Sequence, residues 1–331
     1  MGYQVRTVAL SPGTSDNQLP VAALGSRPYG IGTLRSLRAA LRAVDVTIAH
    51  GSKTLFAVVA AGGRGQNPFI YRNIGDSWYW ARTPLRRWRV RVAMRRAAAI
   101  ASVWPGAARH LSQHFGVPAR KIVVIPNGRP PERYGPPDAR QRQAARARLI
   151  QEPSGPIAIC LGALSPEKRV DLAIEAVAEL TDIHLVVAGD GPERARLEAL
   201  ARRIAPGRVE FCGSVADSAE VLAAADVLVL ASETEGLPGV LVEAGMVGVP
   251  VVATAVGGVP EVVIPGRTGV LVPPGDALAI QKGITEALAS RERYGQAARD
   301  HCLRNFDIHT TSVHWDRLLR DVAARHAGVA L

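Results

Sequence analysis

The sequence predicts an α/β protein of two domains, each a parallel sheet with helices on both faces. Three observations carry this. Short apolar runs rich in β-branched residues alternate with stretches of helical periodicity along nearly the whole chain, which is the pattern of parallel-sheet proteins. The length, 331 residues, suffices for two cores of ordinary size. The Pro- and Arg-rich stretch RPPERYGPPDARQRQ, beginning at Arg129, reads as a linker between them.

In the first half, residues 5–10, 45–50, 68–73, 99–104 and 121–126 read as strands, and 34–44, 54–61, 82–98 and 107–115 as helices. In the second half, residues 157–162, 183–188, 209–212, 227–231, 251–254 and 270–272 read as strands. Residues 308–325 read as a closing helix.

Hydrophobic residues make up 47% and charged residues 21% of the chain, a globular composition. No stretch reads as a signal segment or an apolar run of spanning length, so a cytoplasmic protein is expected. Cys160, Cys212 and Cys302 have no metal-ligand spacing, and Cys160 and Cys212 sit in apolar runs, so buried inert thiols are expected.

The net charge of +11 is unevenly spread. Residues 1–150 carry 24 Lys/Arg against 5 Asp/Glu, a net of +19, whereas residues 151–331 carry 16 against 24, a net of −8. The first half therefore suits an acidic partner: an anionic lipid surface, an anionic acceptor or nucleic acid. Nucleic acid ranks last, because no zinc-finger, helix-turn-helix or RNA-recognition pattern accompanies the charge. Arginines are densest in TPLRRWRVRVAMRR, from Thr83, where they interleave with Leu85, Trp88, Val90, Val92 and Met94 after the aromatics Trp78, Tyr79 and Trp80. This reads as a basic helix, packed on the sheet by its apolar residues or laid on an anionic membrane.

The chemistry concentrates between Ala225 and Glu261. An apolar run meets a Gly/Pro-punctuated loop, a short helical pattern and a second apolar run. In such a unit the loop follows a parallel strand, and the amides of Gly239, Val240 and Leu241 open the helix, where free N–H groups and the dipole suit a phosphate. Two carboxylates frame the turn, Glu235 in the loop and Glu243 one turn into the helix. Glu235 can reach a ligand across the loop, and Glu243 can accept hydrogen bonds from a vicinal diol such as ribose.

These residues resemble the glycosyl transferases group 1 family, retaining nucleotide-sugar enzymes of the GT-B fold with two Rossmann-like domains. The family's pair of glutamates separated by seven residues matches Glu235 and Glu243, and its G-x-P-V-V-A-T and G-G-x-P-E runs match the segments starting at Gly248 and Gly257. The resemblance implies that Glu235 contacts the transferred sugar, that Glu243 binds the ribose, and that amides near Gly239, Val240 and Leu241 hold the diphosphate. It also implies a diphosphate contact for Lys168, base contacts from the main chain at Val215, and a metal-independent reaction without a cofactor. The expected reaction moves a sugar from a nucleotide-diphosphate-sugar to a sugar, lipid or small-molecule acceptor with retention of configuration.

The chain departs from the family pattern at three places. The loop Arg that accompanies the Lys is Ala163 here. Where many relatives have a sugar-binding His at the end of the strand over residues 68–73, this chain has Arg72 and Asn73; Asn73 can bond a sugar hydroxyl or cap locally, and His50 is a weaker candidate. The opening GYQVRTVAL resembles the family's second strand, so a first βα unit is expected to be missing. The expected domains are residues 1–130, a linker at 131–156, a nucleotide-sugar domain at 157–305 and a helix crossing back at 306–331. The rival expectations are a homologue that binds nucleotide-sugar or a partner without turnover, and another enzyme of the same fold, such as an epimerase.

Overall fold

The computed structural model describes residues 2–12, 21–62, 67–75, 77, 81, 83–150 and 155–327. Trp78, Tyr79 and Trp80 lie outside these residues. The chain divides into two units, Met1–Pro126 with Ser312–Leu331, and Asn127–Thr311.

The first unit runs β1 (Val8–Ala9), β2 (Ala22–Ala23), α1 (Ile31–Arg42), β3 (Thr47–His50), α2 (Gly51–Ala61), β4 (Phe69–Asn73), α3 (Pro84–Arg95), β5 (Ala99–Ser102), α4 (Pro105–Phe115) and β6 (Ile122–Val124). The second runs α5 (Ala139–Leu149), β7 (Ile157–Leu161), α6 (Val170–Ala178), β8 (His184–Ala188), α7 (Arg194–Ile204), β9 (Val209–Gly213), α8 (Ser218–Ala224), β10 (Val227–Leu230), α9 (Gly239–Val247), β11 (Val251–Thr254), α10 (Val259–Val262), β12 (Gly269–Val272), α11 (Ala277–Ala289) and α12 (Arg291–Phe306). The last helix, α13 (Ile308–His326), starts in the second unit and from Ser312 belongs to the first.

In the first unit β3, β4, β5 and β6 pair in that order, all parallel. Alternate residues of these strands point to opposite faces. Tyr71 and Ile100 join Leu37, Leu55, Met94, Leu111 and Phe115 in one core, and Ile70, Ala99 and Ala101 join Ile125, Leu318 and Val322 in the other. The strand expected at residues 5–10 shrinks to β1, which pairs only with β2, outside the four-stranded sheet. The stretch before it explains this: Val5 is 83% exposed, and apolar burial begins only at Val8 and reaches the core at Leu10. The helix expected over 82–98 is shorter, because Thr83 caps it by accepting from Arg86 N and Pro84 takes the first position, where its missing N–H is harmless.

The second unit has six parallel strands in the order β12-β11-β10-β7-β8-β9. The chain builds outward from β7 to β9 and then returns to lay β10 on the other side of β7. The carboxyl ends of β7 and β10 thus form the point at which the winding reverses, where open α/β sheets bind ligands. The central strands are buried apart from Leu161 at the end of β7 and His184 at the start of β8, as sheets covered on both faces require.

The segment over 131–156, expected as linker, contains α5. Its Asp138 and Gln141 form a reciprocal capping box, and Arg142 and Arg146 reach the buried Asp226 at the start of β10, at 2.6 and 3.3 Å. Arg291 approaches the same carboxylate at 3.4 Å, and its Oδ2 accepts from Ile157 N at 2.8 Å. Burial first, against the attraction of Asp226, lowers the pKa of Arg142. Cys160 and Cys302 are buried and Cys212 is exposed, correcting the expectation for Cys212. It lies on β9, an edge strand of the sheet. Burial pushes the Cys160 and Cys302 thiols up to about 12. No helix among the described residues is long and apolar enough to cross a membrane.

Candidate functional site

Two loops meet at the reversal point of the second sheet. The one after β7 ends in a 3-10 turn, Pro166–Lys168, and the one after β10 leads through Ser232 and Glu235 into α9. Lys168 Nζ donates to Glu235 Oε1 at 2.6 Å, and Ser232 Oγ donates to the same oxygen at 2.7 Å. The Ser232 carbonyl in turn accepts from Thr254 Oγ1 at 2.6 Å, so the end of β11 braces the loop. Glu235 Oε2 has no partner among the described residues.

Main-chain contacts fix Glu235 further. Gly258 N donates to Gly236 O at 2.7 Å, and Gly257, at φ +53, lies so close beneath the Glu235 carbonyl that a Cβ would collide with it. A glycine is needed there for both the left-handed backbone and the close approach.

Arg169 ties the two loops together on their outer side. Its guanidinium lies at 3.1 Å from both Asp171 and Glu233, and Glu233 N donates to Glu167 O at 2.8 Å. Among the described residues it is the non-glycine with a left-handed backbone, φ +47 and ψ +44. Such a conformation costs about 1–2 kcal/mol, offset here by two ion pairs.

α9 opens at Gly239 after Pro238, with no side-chain cap. Leu241 N is engaged with Pro238 O at 3.3 Å, whereas the Gly239 and Val240 amides find no acceptor among the described residues. Two of the three amides expected to be free are so. Glu243, 8% exposed, accepts Arg129 Nε on Oε1 at 2.6 Å. The helix is otherwise buried on nearly every side from Leu241 to Val247.

The structure places Lys168 and Glu235 in two adjacent loops and Gly239, Val240, Leu241 and Glu243 in the helix that follows the second of them. Val215 lies after β9, half-buried, its amide and carbonyl without a hydrogen bond among the described residues. Asn73 belongs to the first unit. It is 1% exposed and accepts from Ser77 Oγ at 2.7 Å, and its Nδ2 is buried without a partner among the described residues. His50 ends β3 in register with Arg72; burial and then the Arg72 cation lower its pKa. No group of three His, Cys, Asp or Glu among the described residues is arranged to hold a metal ion.

Sequence reasoning missed Arg129, Ser232, Thr254 and Arg169. Arg129 stands in the stretch expected as linker. Arg169 directly follows Lys168 in the chain, but nothing local marks its left-handed backbone.

Two family profiles match the chain, glycosyl transferases group 1 over residues 141–301 and glycosyltransferase family 4 over residues 1–133. The chain is 32% identical to a 2-deoxystreptamine glucosyltransferase of Streptomyces kanamyceticus over 72% of its length and 64% of the relative's. It is 33% identical to a D-inositol 3-phosphate glycosyltransferase of Geodermatophilus obscurus over 67% and 51%. A GDP-mannose-dependent alpha-(1-6)-phosphatidylinositol monomannoside mannosyltransferase of Mycolicibacterium smegmatis is 32% identical over 77% of this chain and 70% of that one. The chain thus spans less than two thirds of the first two relatives. Among solved structures, HepE of Anabaena in complex with UDP-glucose has a TM-score of 0.84 at 22% identity, covering 91% of this chain and 86% of that one. Sucrose-phosphate synthase of Thermosynechococcus elongatus has a TM-score of 0.81 at 22% identity, over 97% and 88%. These likenesses concern the fold, and together with the profiles and the mannosyltransferase they establish that the chain belongs to the glycosyl transferases group 1 family, with the two Rossmann-like domains of the GT-B fold.

Proposed function

We propose that this protein transfers a sugar from a nucleotide-diphosphate-sugar to an acceptor, with retention of configuration and without a metal ion. The observation that supports this most is the pairing of Lys168 with Glu235 beside the uncapped start of α9, at the reversal point of the sheet. Charge develops on the diphosphate as the sugar departs, and a fixed ammonium and two free amides meet it without reorganising. Glu243 accepts from the ribose hydroxyls, and the main chain at Val215 contacts the base. Glu235, held by Lys168 and Ser232 through Oε1, keeps Oε2 for a hydroxyl of the transferred sugar and orients it rather than attacking it. Asn73, 1% exposed and accepting from Ser77, serves a local capping role within the first unit.

UDP-glucose, the ligand in the HepE structure's name, is the first donor to assay. Transfer, bare hydrolysis and epimerisation are followed together by NMR, with and without chelator. A product of retained anomeric configuration, formed at equal rate in chelator, supports the reading. Tight binding without turnover on any donor or acceptor points to the non-catalytic alternative.

The acceptor side is proposed to meet an anionic membrane surface. On α3, Leu85, Trp88 and Val92 are 65%, 61% and 39% exposed, spaced to lie along one stripe. Arg86, Arg91, Arg95 and Arg96 have no carboxylate partner among the described residues. Such a face binds by apolar burial and screened attraction together. Cosedimentation with anionic vesicles that falls with salt and with Trp88→Ala is expected; its absence at low salt removes the proposal.

A further inference from the structure

The site has one surplus cation that its carboxylates do not use up. Arg129 reaches Glu243 through Nε at 2.6 Å, and its Nη1 lies at 3.2 Å from its neighbour's carbonyl, Gly128 O. That leaves Nη2, which carries two N–H groups and finds no acceptor among the described residues. It is placed directly against Gly239, where a Cβ would collide with it. The backbone that carries it is fixed: Arg129 N donates to Phe306 O at 2.8 Å and Ile308 N to Arg129 O at 3.0 Å. The guanidinium therefore adds two N–H groups to the free amides of Gly239 and Val240 at the same helix start. A guanidinium fork with one edge on a carboxylate and the other on open N–H groups suits an oxyanion.

The loop after β7 supplies one cation, Lys168, because Ala163 stands where the related loops carry an arginine. A diphosphate leaving group bears more charge than one ammonium neutralises. We propose that Arg129 is the second phosphate-positioning cation of the donor site, its Nη2 edge taking a phosphate oxygen at the start of α9 while Nε holds Glu243 for the ribose. This rests on the donor reading above and adds to it a division of labour: Arg129 couples ribose and diphosphate recognition through one side chain.

The test is calorimetry at low salt with inorganic pyrophosphate, uridine and UDP-glucose on the full chain. Arg129→Met is expected to weaken pyrophosphate at least tenfold and uridine by a smaller factor, through the Glu243 that loses its partner, whereas Arg140→Met, at an exposed arginine of α5 with the same loss of charge, changes neither. Glu243→Gln in the Arg129→Met background separates contact from mere charge balance. Continued weak binding supports a direct phosphate contact, and restored binding would mean that Arg129 only neutralises Glu243 and would overturn the proposal. Ala163→Arg is expected to bring the Arg129→Met variant back to within threefold of the parent and to tighten the parent itself less. Failure of that rescue, or pyrophosphate affinity within twofold in folded Arg129→Met, also overturns it. If the parent binds neither pyrophosphate nor UDP-glucose, the donor reading falls first. If it binds both and Arg129→Met is unchanged, only this inference falls.

Discussion

The two ends of β10 hold charged clusters of opposite character. At the amino end one carboxylate, Asp226, is surrounded by Arg142, Arg146 and Arg291 and also takes the Ile157 amide. At the carboxyl end two carboxylates, Glu235 and Glu243, each hold a single cation through one oxygen, next to helix amides and a guanidinium edge without an acceptor among the described residues. The first cluster pins α5 and α12 to the sheet and is closed to a ligand. The second has spare donors, half-exposed at Arg129, Gly239 and Val240, which a ligand can take over from water. What separates a structural ion cluster from a binding one is thus not burial or charge, which both share, but whether the donors are used up.

Substitutions can break this contrast. Asp226→Ala should have the largest effect on stability, about 3–5 kcal/mol, because it strands three half-buried guanidinium groups and the buried Ile157 amide together; urea unfolding measures it. Donor affinity of the folded fraction should stay unchanged, and a loss there would mean that the two ends of the strand are coupled. Glu243→Ala and Lys168→Ala should do the reverse. Each removes a charge-assisted contact worth roughly 1.5–3 kcal/mol in donor affinity with a smaller change in unfolding midpoint, and unchanged nucleotide affinity in both would remove the proposed site. Ser232→Ala, which deletes a neutral donor to Glu235, should cost about 1 kcal/mol in transition-state stabilisation, visible as a fall in kcat/KM for transfer. Gly239→Ala should have the smallest effect on stability, within about 1 kcal/mol, since the Arg129 side chain it meets can swing away; pyrophosphate binding is the sensitive readout.

The strands of both sheets were legible in the sequence because buried parallel strands are continuous β-branched runs, and Glu235, Glu243 and Lys168 were legible because a local motif carries them. Arg129 and Arg142 were not. Their partners lie 114 and 84 residues away, and periodicity reports only neighbours along the chain. α5 was hidden for a different reason. Only Ala145 is buried in it, so it shows no apolar stripe, and arginine pairing with Asp226 holds it instead. Its one local signal was the capping box at Asp138 and Gln141. Residues 5–10 misled in the opposite way, looking like a sheet strand although residues 5–7 are exposed and only the last three are half-buried.

Arg169 bears on how this protein could be engineered. Glycine at that position would relax the left-handed backbone and remove a side chain that ties the Lys168 loop to the Glu235 loop. A library selected only for heat tolerance would therefore be nearly indifferent between arginine and glycine, since relieved strain and lost ion pairs offset each other, while glycine loosens the register of the two loops. Selection that scores donor turnover alongside heat tolerance would retain the arginine.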